Sequence, residues 1–138
     1  KWQYFTALLH FYAGAQLMLQ LVTNKKMNKD IYDKLMKQYP GTVEKFAEVQ
    51  TENFSVFCEK QHDYGARNIS LGGDMSNEDD KKLALIGITI RLNDKVQRLL
   101  NLIKDNEDPK NESIRDAFLD ISNYGAIAQV VMDGEWGK

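Results

Sequence analysis

The stretch Leu85-Ile86-Gly87-Ile88-Thr89-Ile90-Arg91-Leu92-Asn93-Asp94-Lys95-Val96-Gln97-Arg98-Leu99 decides the fold class. Its charged residues Arg91, Asp94, Lys95 and Arg98 recur every three or four positions. That spacing gathers them on one side of an α-helix and would scatter them over both faces of a strand. Leu85, Ile86, Ile88, Ile90, Leu92, Val96, Leu99, Leu100 and Ile103 fill most of the remaining circumference. A charged strip set in so wide an apolar arc predicts a central helix whose polar side faces a cleft.

The neighbouring segments read the same way. Ser76 and Asp79 have capping-box spacing for the start of this helix, which is predicted to end near Lys104. A polar, glycine-containing loop over 65–77 precedes it. Before that loop, a helix is predicted from an N-cap at Thr42 to about His62. Tyr39-Pro40-Gly41 closes a shorter helix over about 28–38, with Ile31, Leu35 and Met36 as its apolar stripe. The first helix is predicted over about 2–22. Residues 105–110 form a polar turn, and a fifth helix starts near Asp108-Pro109 or Asn111 and runs to about Met132. The prediction is an all-α, five-helix bundle in one domain. Residues 1–40 would make an N-terminal helical hairpin used for packing or as an oligomer interface, and 42–134 the core helices carrying the site.

Bulk composition narrows the function classes. A chain of 138 residues can bury a core without staples. Its 18 basic and 20 acidic residues give a net charge of −2, which argues against an extended nucleic-acid surface. The single cysteine, Cys58, excludes an intrachain disulfide and leaves no Cys-based zinc site to expect. Its apolar surroundings, Phe54 to Phe57, predict a buried thiol. The apolar run 7–22 is shorter than the ~20 residues of a bilayer span and lacks the features of a secretory signal. It is expected in a core or in a contact between copies of the chain, a dimer or higher, with no membrane partner and a cytoplasmic location.

The acids form two stripes. Glu48, Glu52, Glu59 and Asp63 stack on the third predicted helix, and Glu112, Asp116, Asp120 and Asn123 on the fifth. Stacked carboxylates repel unless something positive joins them. A divalent cation is one such partner, because Mg²⁺ uses carboxylates together with substrate phosphates. Glu48 and Glu59 read equally well as a solvated face paired with lysines. A first-turn acid is favoured by the helix dipole, which accounts for Glu112, partly for Asp116, and not for Asp120. Arg91, Lys95 and Arg98 suit phosphate contacts; salt bridges to neighbouring acids are the other reading, and both can hold at once. The glycine-containing loop matches no phosphate-binding pattern and reads as a plain connection. His10 and His62 read as structural.

Three motifs carry a resemblance. Lys60-Gln61-His62-Asp63-Tyr64-Gly65 has the form Lys-x-x-Asp-Tyr-Gly. It is followed by the 85–99 segment and then by Glu112-Ser113-Ile114-Arg115-Asp116-Ala117-Phe118-Leu119-Asp120-Ile121-Ser122-Asn123-Tyr124. In this order the set resembles the nucleotide modification associated domain family of phages and bacteria, over roughly Glu52 to Met132. That family is similar to the MazG-like all-α nucleoside triphosphate pyrophosphohydrolases. The resemblance implies a helical core of that type binding Mg²⁺ (or Mn²⁺) and a nucleotide, within an oligomer. On this reading Glu52, Asp63, Asp116 and Asp120 are the expected metal ligands, and Glu52 and Asp120 the expected catalytic carboxylates. Lys60, Tyr64, Arg91, Lys95, Arg98, Asn123 and Tyr124 are the expected substrate-binding residues. The acids here stand four apart, as in Glu48/Glu52 and Asp116/Asp120, where those enzymes have Glu-x-x-Glu and Glu-x-x-Asp. Two other functions stay open: holding a nucleotide or nucleotide-derived signal without cutting it, and helical protein interaction with no small ligand.

Overall fold

The computed structural model describes residues 28–105 and 109–138. Among them are helices α1 (Lys29–Gln38), α2 (Pro40–Tyr64), the single turn α3 (Arg67–Ser70), α4 (Glu78–Asp105) and α5 (Ile114–Met132), with no strand. The fold is all-α, as the periodicity predicts. The helix predicted over 2–22, and the self-association expected of it, lie outside the described residues. Among the described residues no helix is long and apolar enough to cross a membrane. The chain divides into two compact units, 1–52 and 53–138. The division falls inside α2.

In the first unit, Asn28 caps α1 by accepting from the Ile31 N–H at 3.2 Å, which satisfies one of the orphan donors of the first turn. α2 begins at Pro40, two residues before the predicted cap at Thr42. Proline tolerates the first helical position because its φ is preset and no N–H is required there. Tyr39 alone therefore separates the two helices. Ile31 and Leu35 of the predicted stripe are exposed. Glu48 accepts from Lys45 at 2.7 Å, an exposed pair three residues apart. For Glu48 the solvated reading is therefore the one observed.

The second unit holds the core. Ala84 and Ile88 lie one turn apart on α4, and Ile127 and Val131 one turn apart on α5. Ile69, Met75 and Trp136 join them from α3, the following loop and the C-terminal tail. Burying a side chain of this size contributes about 1.5–3 kcal/mol. The tail reaches the core through a Schellman turn: Gly134 N–H donates to Val131 O at 3.0 Å and Glu135 N–H to Val130 O at 3.1 Å. Gly134 takes φ +73°, and a Cβ there would meet Met75 O at 3.2 Å. The turn aims Trp136 inward, where its indole N–H donates to Ala66 O at 2.9 Å.

Several local expectations need correction. The loop over 65–77 contains α3, which ends on Leu71 in the left-handed region at φ +54°. The cap of α4 is Asn77, whose side chain accepts from the N–H groups of Asp79 and Asp80. Ser76 instead donates to Asp74. α5 starts at Ile114, later than predicted, because Ser113 and Asp116 form a full capping box. Cys58 is exposed, not buried; it shares a face of α2 with exposed Phe54, one turn earlier. The apolar arc of α4 is only partly covered: Ile86, Ile90, Leu100 and Ile103 are exposed, as are Val130 and Met132 of α5. A neighbour on one side of a helix covers only the stripe that faces it.

Candidate functional site

A polar cleft of about 330 Å³ opens in the second unit, lined by α2, α3, α4, α5 and the tail. Three helical stripes build it. α2 contributes Phe57, Lys60, Gln61 and Tyr64; α5 contributes Asp120, Asn123, Tyr124 and Ile127; α4 contributes Arg91 and Lys95. Spacings of three and four residues place each set on one helix face. Asn68 and Ile69 from α3, Glu112 ahead of α5, and Trp136 complete the lining.

α2 and α5 are joined by a buried amide. Asn53 Nδ2 donates to Ser122 Oγ at 3.0 Å, and the Asn53 carbonyl accepts from Asn123 Nδ2 at 2.9 Å. Asn53 sits among the apolar positions of its helix in sequence, and burial there requires these partners.

The electrostatic centre is Asp120, only 8 % exposed. One carboxylate oxygen accepts from Lys60 Nζ at 2.6 Å and the other lies 2.7 Å from Lys95 Nζ. Lys95 also donates to Glu112 Oε2 at 2.7 Å. Burial pushes the Asp120 carboxyl up, but the hydrogen bonds from Lys60 and Lys95 and their charges outweigh it, holding the group below its ordinary value. Burial likewise works against charged Lys95, and the bonds to Asp120 and Glu112 reverse it, raising the ammonium above its ordinary value. Both groups are held charged.

Arg91 lies one turn before Lys95 on α4. Its Nη2 donates to the backbone O of Asn68 at 3.0 Å and to Asn68 Oδ1 at 3.1 Å. Its guanidinium lies 6.0 Å from the Tyr124 ring centroid, within cation–π range. Phe57 meets Trp136 edge-on at 6.3 Å. The cleft thus combines charged and aromatic side chains in one lining.

Of the residues predicted from sequence, Lys60, Tyr64, Arg91, Lys95, Asp120, Asn123 and Tyr124 line the cleft. Arg98 is not among the lining residues; its Nη2 donates to the backbone O of Glu112 and its Nη1 is buried without a hydrogen-bond partner. Asp63 is exposed, with His62 Nδ1 at 3.1 Å. It sits one residue, about 100° of helix, away from Tyr64 on the cleft face. Asp116 Oδ2 accepts from the N–H and the hydroxyl of Ser113, bonds that lower its pKa. Glu52 is exposed and belongs to the first unit. The helix dipole does not account for Glu112, which lies outside α5 and pairs with Lys95. Phe57, Gln61, Asn68, Ile69, Ile127 and Trp136 are lining residues that the sequence reading misses. Extending the Lys60 stripe by three and four positions finds Phe57 and Tyr64 together, with Gln61 beside them. Trp136, past the last predicted helix, gives no periodic signal.

Among the described residues no group of three or more His, Cys, Asp or Glu could hold a metal ion. The carboxylates inside the cleft, Glu112 and Asp120, are engaged by Lys95.

No family model, curated protein or solved structure matches the chain. The functional reading accordingly rests on the cleft.

Proposed function

We propose that the second unit binds a nucleotide in this cleft, phosphates toward Lys60, Lys95 and Arg91 and the base toward the aromatic residues. The observation that carries the reading is the convergence of three cations with Tyr64, Tyr124, Phe57 and Trp136 around one opening. Lysine and arginine suit phosphate oxygens, aromatic rings suit a stacked base, and the amides of Gln61, Asn68 and Asn123 can read polar edges. The volume lies at the lower end of the ~300–1,000 Å³ typical of ligand sites. Mg²⁺ or Mn²⁺ would arrive as counter-ion of the phosphates, since Mg²⁺ is held by one or two carboxylates plus phosphate oxygens. The same reading puts the protein in the cytoplasm, the host's if the chain is phage-encoded, as an oligomer of two or more copies.

Binding without turnover is the function the geometry supports best, because the buried carboxylate is tied to two lysines. Hydrolysis of a nucleoside triphosphate to monophosphate and pyrophosphate is the second reading. It is favoured by the resemblance to the pyrophosphohydrolases and by two carboxylates sharing the cleft with the cations. Calorimetric titration with a panel of ribo- and deoxyribonucleoside triphosphates, with and without Mg²⁺, tests the first. Saturable binding that weakens about tenfold in Lys60→Met, the loss of one charge-assisted contact, is expected. Folded protein that binds no member of the panel would sink the proposal. Chromatography of the same mixtures distinguishes the two readings: an unchanged nucleotide supports binding alone, and pyrophosphate release supports hydrolysis.

A further inference from the structure

The two carboxylates on Lys95 are held very differently. Asp120 is buried in the middle of α5 and shared with Lys60. Releasing it would leave Lys60 without its acid and Lys95 with Glu112 alone. Glu112 lies before the Ser113 cap, and its side chain is 53 % exposed. Its main chain is pinned, because its carbonyl accepts from Arg98 and the next residue opens the capping box. Its side chain is not: rotation into water costs one half-exposed ion pair, an interaction that contributes little. The cleft presents Lys60, Arg91 and Lys95 against Glu112 and Asp120. A polyphosphate entering there gains a full positive charge if one acid leaves, and Glu112 is the acid able to leave.

We infer that Glu112 is a built-in competitor for the ligand's phosphate. Its carboxylate occupies Lys95 in the empty cleft and is displaced when a phosphate takes its place. The inference rests on the nucleotide-binding reading and adds to it an internal competitor that sets the phosphate affinity. Ligands without phosphate gain nothing from displacing Glu112, whereas polyphosphates offer Lys95 a stronger anion. Glu112 thus competes only with the phosphate part of a ligand, through its contact with Lys95.

Inorganic tripolyphosphate and adenosine are the probes, titrated calorimetrically into the full chain and into Glu112→Gln, Glu112→Asp and Glu78→Gln. Glu78 is an exposed acid paired with Lys81, away from the cleft. Glu112→Gln should bind tripolyphosphate about fivefold more tightly, the value of one weak ion pair. Glu112→Asp, shorter by one methylene, should tighten it by less. Glu78→Gln should match the wild type, and adenosine should bind all four alike. Equal or weaker tripolyphosphate binding in Glu112→Gln, beside clear binding by the wild type, overturns the competitor role and leaves the cleft reading standing. Equal tightening in Glu78→Gln also overturns it, as a general charge effect. No tripolyphosphate binding by any of the four overturns the cleft reading itself, and the competitor role with it.

Discussion

Lys95 and Asp120 meet at 2.7 Å in the cleft, one from α4 and one from α5, both largely withdrawn from water. Asp120 also accepts from Lys60 of α2, so a single carboxylate ties three helices. Replacing it with alanine leaves Lys60 without its acceptor and Lys95 with Glu112 alone. Breaking a fully buried pair costs ~3–5 kcal/mol; with Lys60 half exposed, Asp120→Ala is expected to cost about 2 kcal/mol. Lys60→Met should cost under about 1 kcal/mol, because Lys95 still satisfies the acid. Urea midpoints of the two variants check the order; equal losses would contradict it.

The same carboxylate sets an acid dependence. Its folded pKa lies below its ordinary value, so between the two the unfolded chain binds more protons and stability rises with pH. The contribution is present above the unfolded value, near 3.9, and disappears as pH falls through the lower folded one. Asp116, lowered by the Ser113 hydroxyl and N–H, acts in the same sense. Lys95, raised, stabilises below its ordinary value of 10.5 and loses that contribution as pH climbs through the higher folded one. Urea midpoints across pH 3–6 should fall toward acid in the wild type and fall less steeply in Asp120→Asn.

The Ser113–Asp116 capping box predicts a purely structural phenotype. Ser113→Ala removes the side-chain acceptor for the Asp116 N–H, 3.1 Å away, and should cost about 1 kcal/mol. Since neither residue lines the cleft, affinity for a nucleotide should stay within about twofold of wild type, measured under conditions where both proteins are folded. A large loss of binding in this variant would bring Asp116 back as a ligand-contacting group.

Trp136 offers both a stability test and an optical one. Trp136→Phe keeps most of the buried area and loses the bond to Ala66 O, a change of about 1 kcal/mol. Trp136→Ala empties a large core position and should cost about 3–5 kcal/mol. With Trp2 replaced by Phe, the remaining indole lies at the cleft wall, so its emission should shift on nucleotide addition. A calorimetrically verified ligand that leaves this emission unchanged would place the binding elsewhere.

Gly134 carries the turn that returns the tail. At φ +73°, with Met75 O only 3.2 Å from where a methyl carbon would sit, Gly134→Ala should be destabilised by about 1–2 kcal/mol. Trp136 emission should move to the red as the indole loosens, read at equal temperature and protein concentration.

Much of this protein was determined by sequence alone. Three- and four-residue spacing of apolar and charged positions is a property of one helix, so α2, α4 and α5 and the shared face of Arg91 and Lys95 could be read without a neighbour. The tertiary structure decided what those faces meet. Periodicity gives an angle around one axis but no axial register between two, so it could not say that Lys60 and Lys95 converge on Asp120. It also left Asp63 and Tyr64, adjacent in sequence and about 100° apart, equally eligible for the site. Asp116 takes a different role because α5 starts at Ile114, which makes it the capping acid of Ser113. Glu112 then falls outside the helix and onto Lys95. The acid stripe that sequence places along one helix is divided by the packed chain between a cap, a buried pair and a half-exposed contact, because each acid's partner comes from a different element.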